Sequence, residues 1–377
     1  MGAIQQQQCT LTPGANRTRG LQLGILRGTD GFEHLSILFP PTIPAAFLVN
    51  YPGMSDAAAP NAIVVRVDAR QCEVAPLDDL HAVRPALMRG RLFELRGEDR
   101  MPIAVGDHVR LSETEDGLAI DEVLPRQRIF ARRAAGEEVR RQLLATNFDQ
   151  LLVVSSFGTP PFSSITTDRI LAAASFLQVP SILVINKTDK AKRGKLKRVQ
   201  ATYEAAGMEV LLTSAKSNEG IGQLTDLLRD KMSVFYGLSG VGKSSLLNCV
   251  EPGLGLRTKE VSYALNSGRH TTTFARIWPL AMGGAVIDTP GVRVFRPYGI
   301  PPHELRLHYP EMEALGSKCH FPDCTHRNEP DCAVLMALEA GEFPASRHRS
   351  YMEMMEELEL VYGGTGEIQD TKPPPSG

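Results

Sequence analysis

Short apolar runs separated by turn residues characterise the chain from residue 60 to about residue 125. Four of these runs favour β-structure: Ala62–Val67, Arg91–Leu95, His108–Leu111 and Leu118–Val123. Gly, Pro and Asp lie between them, and short strands with such breaks are typical of a small antiparallel barrel. We therefore predict a β-barrel in this region.

The pattern changes after about residue 145, where apolar runs alternate with longer helical stretches. The predicted strands are Leu151–Val154, Ile182–Ile185, Val210–Leu212, Val234–Tyr236 and Ala285–Ile287. The predicted helices include Asp168–Leu177 and Leu196–Ala206. Strands that alternate with helices indicate a parallel sheet covered on both faces.

The two ends of the chain differ from its middle. Residues 1–60 are rich in Gln, Gly, Pro and Ala without a sustained period, so we interpret them as an extension whose order the pattern does not decide. Beyond about residue 300 the chain is rich in Pro, His and Cys. A predicted helix, Ser350–Tyr362, and a disordered Pro/Gly tail end it.

Composition indicates a globular protein outside the membrane. Hydrophobic residues make up 42% and charged residues 22%, which are ordinary values for folded domains. No apolar stretch reaches the roughly 20 residues that span a bilayer, since Phe32–Tyr51 contains Pro40, Pro41 and Pro44. The amino terminus lacks an export signal, and Gln6 stands where an N-myristoylation signal has Ser or Thr. We expect a cytoplasmic protein.

Two basic runs stand out against a net charge of −2, which excludes a uniformly basic nucleic-acid-coating protein. The first run is Arg126, Arg128, Arg132, Arg133, Arg140 and Arg141. The second is Lys187, Lys190, Lys192, Arg193, Lys195, Lys197 and Arg198. One such run is typical of a solvated surface, whereas two together favour a phosphate-rich partner.

A phosphate-binding loop follows the strand Val234–Tyr236. The sequence Gly-Leu-Ser-Gly-Val-Gly-Lys-Ser lies between this strand and a helix, which is the context that the motif requires. Its backbone N–H groups would surround phosphate oxygens, Lys243 would reach the outer phosphates, and Ser244 would bind Mg²⁺. The candidate binding residues are Gly237, Leu238, Ser239, Gly240, Val241, Gly242, Lys243, Ser244 and Ser245.

Two further motifs indicate which base the nucleotide carries. Asn186, Lys187, Thr188 and Asp189 follow one strand, and Ser214, Ala215 and Lys216 follow the next. The Asp189 carboxylate can accept hydrogen bonds from the N1–H and amine of guanine, a donor pair that adenine lacks. Backbone N–H groups of Ser214–Lys216 would contact the guanine O6. Each motif alone is a common surface turn, but together they predict GTP rather than ATP.

The remaining G-domain motifs concern Mg²⁺ and the γ-phosphate. Asp288–Gly291 ends a strand and supplies an acidic group and a glycine. The polar segment Gly268–Thr273 before it is suited to a switch, in which Thr272, or alternatively Thr271, would complete the Mg²⁺ coordination. The competing interpretation is a simple polar loop before a strand Phe274–Trp278.

A cluster of metal-binding residue types lies near residue 320. The proposed ligands are Cys319, Cys324, His326 and Cys332. Three thiolates and one imidazole form a closed set suited to one structural, tetrahedral Zn²⁺. His320 is a spare candidate, although its neighbour Cys319 would crowd the same site. The alternative is that reduced cysteines pack as small hydrophobic residues.

The order of the motifs along the chain is unusual. Small GTPases begin with the phosphate loop, whereas here the order is Asn186–Asp189, Ser214–Lys216, Gly237–Ser244, Gly268–Thr273 and Asp288–Gly291. This is a circular permutation. With the threonine switch and the cysteine cluster, residues 60–362 closely resemble the bacterial ribosome small-subunit-dependent GTPase A family, RsgA or YjeQ. The extension before residue 60 is longer than this resemblance leads us to expect.

The resemblance implies a multi-domain fold of three parts. These are a small antiparallel β-barrel of the OB-fold type at 61–130, a circularly permuted P-loop α/β G domain at 131–300, and a small, mostly helical zinc-binding domain at 301–377. Because the permutation places the last part directly after the γ-phosphate switch, nucleotide state could control how the zinc domain docks.

The resemblance also implies a function: a monomeric GTPase that binds the 30S ribosomal subunit and its 16S rRNA, acts in late maturation, and hydrolyses GTP faster when bound. Two alternatives stay open, namely an RNA-binding module with negligible turnover and a GTPase acting on another ribosomal particle. Val292 stands where Ras-like enzymes have a water-orienting Gln. We therefore name His270 as the candidate catalytic residue alongside Lys243 and Thr272, with loop packing or an rRNA contact as the competing role of His270.

Overall fold

The computed structural model describes residues 60–68, 72–136, 139–256, 275–291 and 294–362, all of which belong to one structural unit. Within these ranges no helix is long and apolar enough to cross a membrane.

Five strands of the described chain form the barrel. They pair in a closed cycle in which every pairing is antiparallel except that of the third strand with the fifth. Alternate side chains such as Val64, Val74 and Ile120 point into a buried core. The strands are β1 (Ala62–Val67), β2 (Cys72–Pro76), β3 (Arg84–Met88), β4 (His108–Thr114) and β5 (Gly117–Val123).

One predicted barrel strand is wrong. Residues Arg91–Glu94 form a short helix, α1, rather than the predicted strand Arg91–Leu95. Its Leu92 packs into the barrel core, whereas Leu95 is 78% exposed. Leu95 is the C-cap residue, at which the chain leaves this short helix. The strands β2 and β3, which are short and contain Pro76 and Pro85, were not predicted.

A second sheet carries the nucleotide motifs. All five predicted strands are present, with slightly wider bounds. They are β8 (Gln150–Ser156), β9 (Ser181–Asn186), β10 (Glu209–Leu212), β11 (Met232–Tyr236) and β13 (Ala285–Asp288), and a further strand, β12, lies at Arg276–Pro279. The strand order is β10-β9-β8-β11-β13-β12, and all pairings are parallel except that of β13 with β12.

Helices cover both faces of this sheet, as the alternating pattern predicts. Buried side chains lie on each side of it, for example Leu151 and Val153 on one face and Leu152 and Val154 on the other. The helices are α2 (Ser164–Phe176), α3 (Arg193–Ala205), α4 (Ile221–Leu228) and α5 (Lys243–Val250).

The barrel and the parallel sheet are joined edge to edge. Strand β1 pairs with β12 at Arg66 and Arg276, so that the two sheets are continuous. The Glu73 carboxylate lies 3.5 Å from the Arg66 guanidinium and 3.1 Å from that of Arg276. A hairpin, β6 (Ile129–Arg133) and β7 (Arg141–Thr146), follows the barrel.

The carboxy-terminal region is mostly helical among its described residues. A 3-10 helix, Pro302–His308, precedes α6 (Pro310–Gly316), α7 (Ala333–Glu339) and α8 (Ala345–Tyr362). Helix α8 begins five residues before the predicted Ser350.

A buried ion pair fixes α8 to α2. The Arg347 guanidinium donates to Asp168 Oδ1 over 2.5 Å and to Glu311 Oε1 over 2.5 Å. The hydroxyl of Tyr203 donates to Asp168 over 2.7 Å, and Ser350 also donates to this carboxylate. The carboxy-terminal region is therefore attached to the flank of the parallel sheet as well as through the chain that follows β13.

Candidate functional site

Three glycines shape the predicted phosphate loop between β11 and α5. Gly240 and Gly242 have φ values of 86° and 101°, in the region that residues with side chains rarely adopt. A Cβ on Gly237 would lie 2.1 Å from the carbonyl oxygen of Val154 on the neighbouring strand. The loop thus has the close backbone approach and the helix amino terminus of a phosphate-binding site.

Lys243 ends this loop, and Asp288 lies near it at the end of β13. Lys243 is 7% exposed, and its Nζ donates to the Gly237 carbonyl over 3.1 Å. Asp288 is buried at the end of β13, and within the described residues its Oδ1 lacks a hydrogen-bond partner. Burial raises the pKa of Asp288 to about 6, against the opposing effect of Lys243. A buried carboxylate oxygen without a hydrogen-bond donor suits Mg²⁺ coordination.

Asn186 connects all three base and phosphate loops. Its Nδ2 donates to the carbonyl of Val241 in the phosphate loop over 2.9 Å. Its Oδ1 accepts from the backbone N–H of Ala215 over 3.3 Å. Lys187, at a left-handed φ of 61°, extends its Nζ to the carbonyls of Gly240 and Thr159 over 2.6 and 2.5 Å. Segments far apart in sequence are thereby held as one site.

The Asp189 carboxylate is exposed but oriented. Ser214 Oγ donates to its Oδ1 over 2.8 Å. The preceding Thr188 is buried and donates to Glu219 and to the Thr213 carbonyl over 2.8 and 3.1 Å. The short turn that carries Asp189 is thus anchored through Thr188.

The Asp288–Gly291 segment packs directly on the phosphate loop. A Cβ on Gly291 would lie 2.6 Å from Ser239 Cα, closer than real side chains approach. Thr289 Oγ1 donates to the carbonyl of Phe235 on β11 over 2.6 Å. This segment is therefore in direct contact with the predicted phosphate loop.

The predicted metal ligands, which follow the nucleotide motifs in the sequence, form a compact set. The ligand atoms of Cys319, Cys324, His326 and Cys332 all lie within 4.8 Å of one another. His326 Nδ1 is 3.4 Å from the Cys332 sulfur and 3.7 Å from that of Cys319. Donor atoms at these separations can surround one tetrahedral ion. Exposed His320 is not a member of the set.

Glu329 shapes the turn that carries His326. Its carboxylate accepts from the backbone N–H and hydroxyl of Thr325 and from the N–H groups of Arg327 and Asn328. Although burial opposes them, these hydrogen bonds lower the pKa of Glu329 to about 2. A carboxylate inside this turn helps hold His326 at its left-handed φ of 58°.

Comparison with known proteins agrees with this geometry. A family model described as RsgA GTPase matches residues 123–297. The small ribosomal subunit biogenesis GTPase RsgA of Chlorobaculum parvum is 39% identical over 270 residues, covering 68% of this chain and 86% of that protein. The RsgA of Chlorobaculum tepidum is 37% identical over 309 residues, or 78% and 97% of the two chains. The chain belongs to the RsgA GTPase family.

Solved structures similar to this RsgA-family chain support its fold. The crystal structure of YjeQ from Thermotoga maritima is 34% identical, with a TM-score of 0.59, and covers 79% of this chain and 97% of its own. That of YloQ, a circularly permuted GTPase, is 26% identical with a TM-score of 0.56, covering 82% and 98%. The predicted fold class, a barrel followed by a permuted G domain and a region with the metal-ligand set, is confirmed.

Some predicted site residues lie outside the described ranges. These are the switch segment Gly268–Thr273 with His270, Thr271 and Thr272, and also Val292. Among the described G-domain candidates, Asn186 and Lys187 donate hydrogen bonds to the phosphate loop, Gly291 packs on it, and Asp288 lies near Lys243. Ser244 and Ser245 lie in the first turn of α5. The expected extension 1–60 and the carboxy-terminal tail also lie outside, apart from Pro60.

The two basic runs have different environments. In the first run, Arg126 pairs with Asp107 and Asp99 over 2.8 and 3.1 Å, and Arg141 pairs with Asp99 over 2.6 Å. Arg128 donates to the Phe148 carbonyl, and Arg133 pairs with Glu357. Most of this run therefore stabilises the protein itself, whereas the second run is exposed from Lys190 onward.

Several contributing residues were not predicted from the sequence. Thr289 lies within the Asp288–Gly291 motif, so its place in the sequence could have identified it. Glu219 accepts from Thr188 across 31 residues of chain, and Thr159 accepts from Lys187 across 28. No local sequence pattern identifies either residue. Glu329 lies inside the spacing between His326 and Cys332, where a carboxylate in a tight turn is a recognisable feature.

Proposed function

We propose that this chain hydrolyses GTP to GDP and phosphate and acts in biogenesis of the small ribosomal subunit. The observation that carries the proposal is the Asn186 side chain, which joins the phosphate loop to the guanine-motif loops within one site. The relatives in Chlorobaculum are named as small ribosomal subunit biogenesis GTPases, which supports the biological role.

Each motif has a proposed role in binding. Backbone N–H groups of Gly237–Ser245 receive the phosphates, and Lys243 leaves the Gly237 carbonyl to contact their outer oxygens. Asp189, Ser214–Lys216 and the Asn186–Thr188 backbone select guanine. Ser244, Thr272 and Asp288 are the residues that would hold Mg²⁺, and Gly291 would face the γ-phosphate. Mg²⁺ neutralises charge on the phosphates when bound.

His270 is the proposed water-positioning residue. With Val292 at the position after Gly291, that side chain cannot accept or donate a hydrogen bond. A neutral imidazole can orient a water near neutral pH. We infer that turnover is slow in the isolated protein and rises when binding to the 30S subunit orders the switch.

For the carboxy-terminal region we propose one structural Zn²⁺ held by Cys319, Cys324, His326 and Cys332. Burial raises the pKa of the Cys324 thiol to about 12, so a bound cation is needed to favour the thiolate. We further propose the division 61–130, 131–300 and 301–377, an extension at 1–60, cytoplasmic location, a monomeric state, and 16S rRNA as the contacted RNA.

Turnover with and without ribosomal particles tests the proposed activity. We expect isolated 30S subunits to raise GTP turnover by at least about tenfold, because docking would order the switch around the γ-phosphate. The His270→Ala variant should lose this stimulation while retaining GTP and 30S binding. Isolated 50S subunits serve as the control. Stimulation by 50S alone would assign another particle, and binding to 30S with negligible turnover would favour a nucleotide-controlled RNA-binding module.

Guanine selectivity depends on Asp189. We expect Asp189→Asn to weaken GTP binding by on the order of a hundredfold and to favour xanthine nucleotides, because the amide presents a donor where guanine also donates. Competition binding with GTP, XTP and ATP measures this effect. Equal competition by ATP and GTP for the unaltered protein would show that the assignment of Asp189 is wrong.

The metal set predicts one zinc ion per chain. Elemental analysis measures the zinc content of the native protein. Competition with a chromophoric chelator should show zinc affinity of Cys324→Ala reduced by more than about a hundredfold, because even outer-shell partners contribute about 10- to 100-fold. Nucleotide binding should be largely retained. The matched control is His320→Ala, which removes an exposed imidazole beside Cys319 and should keep its zinc. Native protein without zinc would rule out the site.

A further inference from the structure

One strongly charged surface remains outside the nucleotide and metal sites. It is formed by the end of the 3-10 turn Thr188–Lys190, the segment after it and the first half of α3. We call it the α3 basic surface, and its side chains, all exposed, are those of Lys190, Lys192, Arg193, Lys195, Lys197 and Arg198.

The charge of this surface is not compensated within the described structure. The first turn of α3 contains no acidic residue, and its N-cap residue Lys192 makes no capping hydrogen bond from its side chain. None of the six basic side chains has a salt-bridge partner among the described residues. Positive side chains near a helix amino terminus are unfavourable, because the helix dipole is itself positive there. Stability of the helix therefore does not account for this charge.

Several arginines of the first basic run, in contrast, form ion pairs within the protein. Arg126 is partly buried against Asp99 and Asp107, and Arg133 reaches Glu357 on α8. No such partner faces the α3 basic surface within the described ranges. The two runs, indistinguishable in the sequence, thus separate into a structural one and one directed to solvent.

We propose that the α3 basic surface binds the phosphate backbone of RNA in the small ribosomal subunit; the choice of partner rests on the proposed function. Four of the six residues are lysines, which act as compact point charges for phosphate oxygens. The neighbouring aromatic Tyr203 is buried and Phe157 lies beneath the Lys195 ammonium at 5.9 Å, so neither ring is presented for base stacking. The contact is therefore with the backbone and is independent of sequence.

The position of the surface places this RNA beside the nucleotide. Lys190 follows Asp189 directly, and its side chain passes over Gly158, next to the Thr159 carbonyl that accepts from Lys187. RNA held on the α3 basic surface would lie along the edge of the guanine-binding loops without occupying the phosphate loop.

Salt-dependent binding of the full chain to purified 30S subunits tests the proposal. The variant Lys192→Gln/Lys195→Gln/Lys197→Gln should bind on the order of a hundredfold more weakly at about 0.1 M salt. The slope of log affinity against log salt should become shallower by about two to three, since each phosphate contact contributes roughly 0.7 to 0.9. The matched control, Lys192→Arg/Lys195→Arg/Lys197→Arg, keeps the charge and should bind as the unaltered protein does.

The outcomes separate this surface from the proposed function. GTP affinity and thermal midpoint of both variants report on folding and should equal those of the unaltered chain. Equal affinity and salt slope for the glutamine variant would overturn the α3 basic surface while leaving 30S binding intact. Equal losses in the glutamine and arginine variants would overturn a phosphate contact. If the unaltered chain does not bind 30S subunits, the proposed function itself fails.

Discussion

Replacing Arg347 with leucine is expected to lower the free energy of unfolding by about 3–5 kcal/mol, because one partner of a buried ion pair is removed. Arg347 is 3% exposed and lies between the Asp168 and Glu311 carboxylates. Its guanidinium also covers the Tyr309 ring at 4.4 Å. The leucine variant leaves the buried Asp168 and the partly buried Glu311 without their cation, and α8 should detach from α2.

Urea unfolding of the full chain measures this loss. Arg349→Leu makes the same change two residues along α8 at an exposed position, so its effect should stay within about 0.5 kcal/mol. Combining Arg347→Leu with Asp168→Asn should cost less than the sum of the single changes, because the second change removes an unpaired charge. Similar stability of the Arg347 and Arg349 variants would show that the buried cluster contributes little.

Attachment of α8 to α2 bears on how nucleotide state reaches the carboxy-terminal region. The permutation places this region directly after Gly291. From this order we predict that the switch controls how the region docks. The structure adds a second attachment through Arg347 on the flank of the parallel sheet. A conformational change in the Asp288–Gly291 segment would therefore act on a region that is already fixed at one side. The region would rotate about that attachment rather than move freely on a linker.

Local patterns predict much of the fold. The buried parallel strands are continuous apolar runs, and the phosphate loop, guanine motifs and metal ligands are each contained in a short segment. Periodicity failed where the segment is short: Arg91–Glu94 has too few residues to distinguish a helical turn from a strand. The pairing of β1 with β12 was also beyond prediction, because it depends on how two separate sheets meet.

Long-range polar contacts account for the rest of what the sequence leaves open. Asn186 reaches Val241 across 55 residues, and Asp168 reaches Arg347 across 179. Arg126 is directed into the protein by ion pairs with Asp99 and Asp107. No sequence spacing rule predicts these pairs. Motif reasoning names the residues that contact a ligand, whereas their supporting partners emerge only when the chain is folded.

Gly291→Ala is expected to weaken GTP binding by on the order of tenfold to a hundredfold, because small displacements in a preorganised site are costly. The added methyl group would lie 2.6 Å from Ser239 Cα and 3.0 Å from Ser239 N, both backbone atoms of the phosphate loop. Since backbone cannot rotate aside as a side chain does, either the loop or the Asp288–Gly291 segment must shift. The N–H groups that we propose to bind phosphate would then no longer keep their positions relative to the Asp288 carboxylate.

Equilibrium binding of fluorescent GTP and GDP analogues measures this shift. Gly253→Ala is the matched control, because its new methyl group would meet only Glu251 Oε1 at 3.6 Å, an ordinary contact. The Gly291 variant should also lose more affinity for GTP than for GDP, because the altered segment lies on the γ-phosphate side of the proposed site. Unchanged affinity for both nucleotides in Gly291→Ala would mean that the contact with Ser239 does not hold the phosphate loop in its binding conformation.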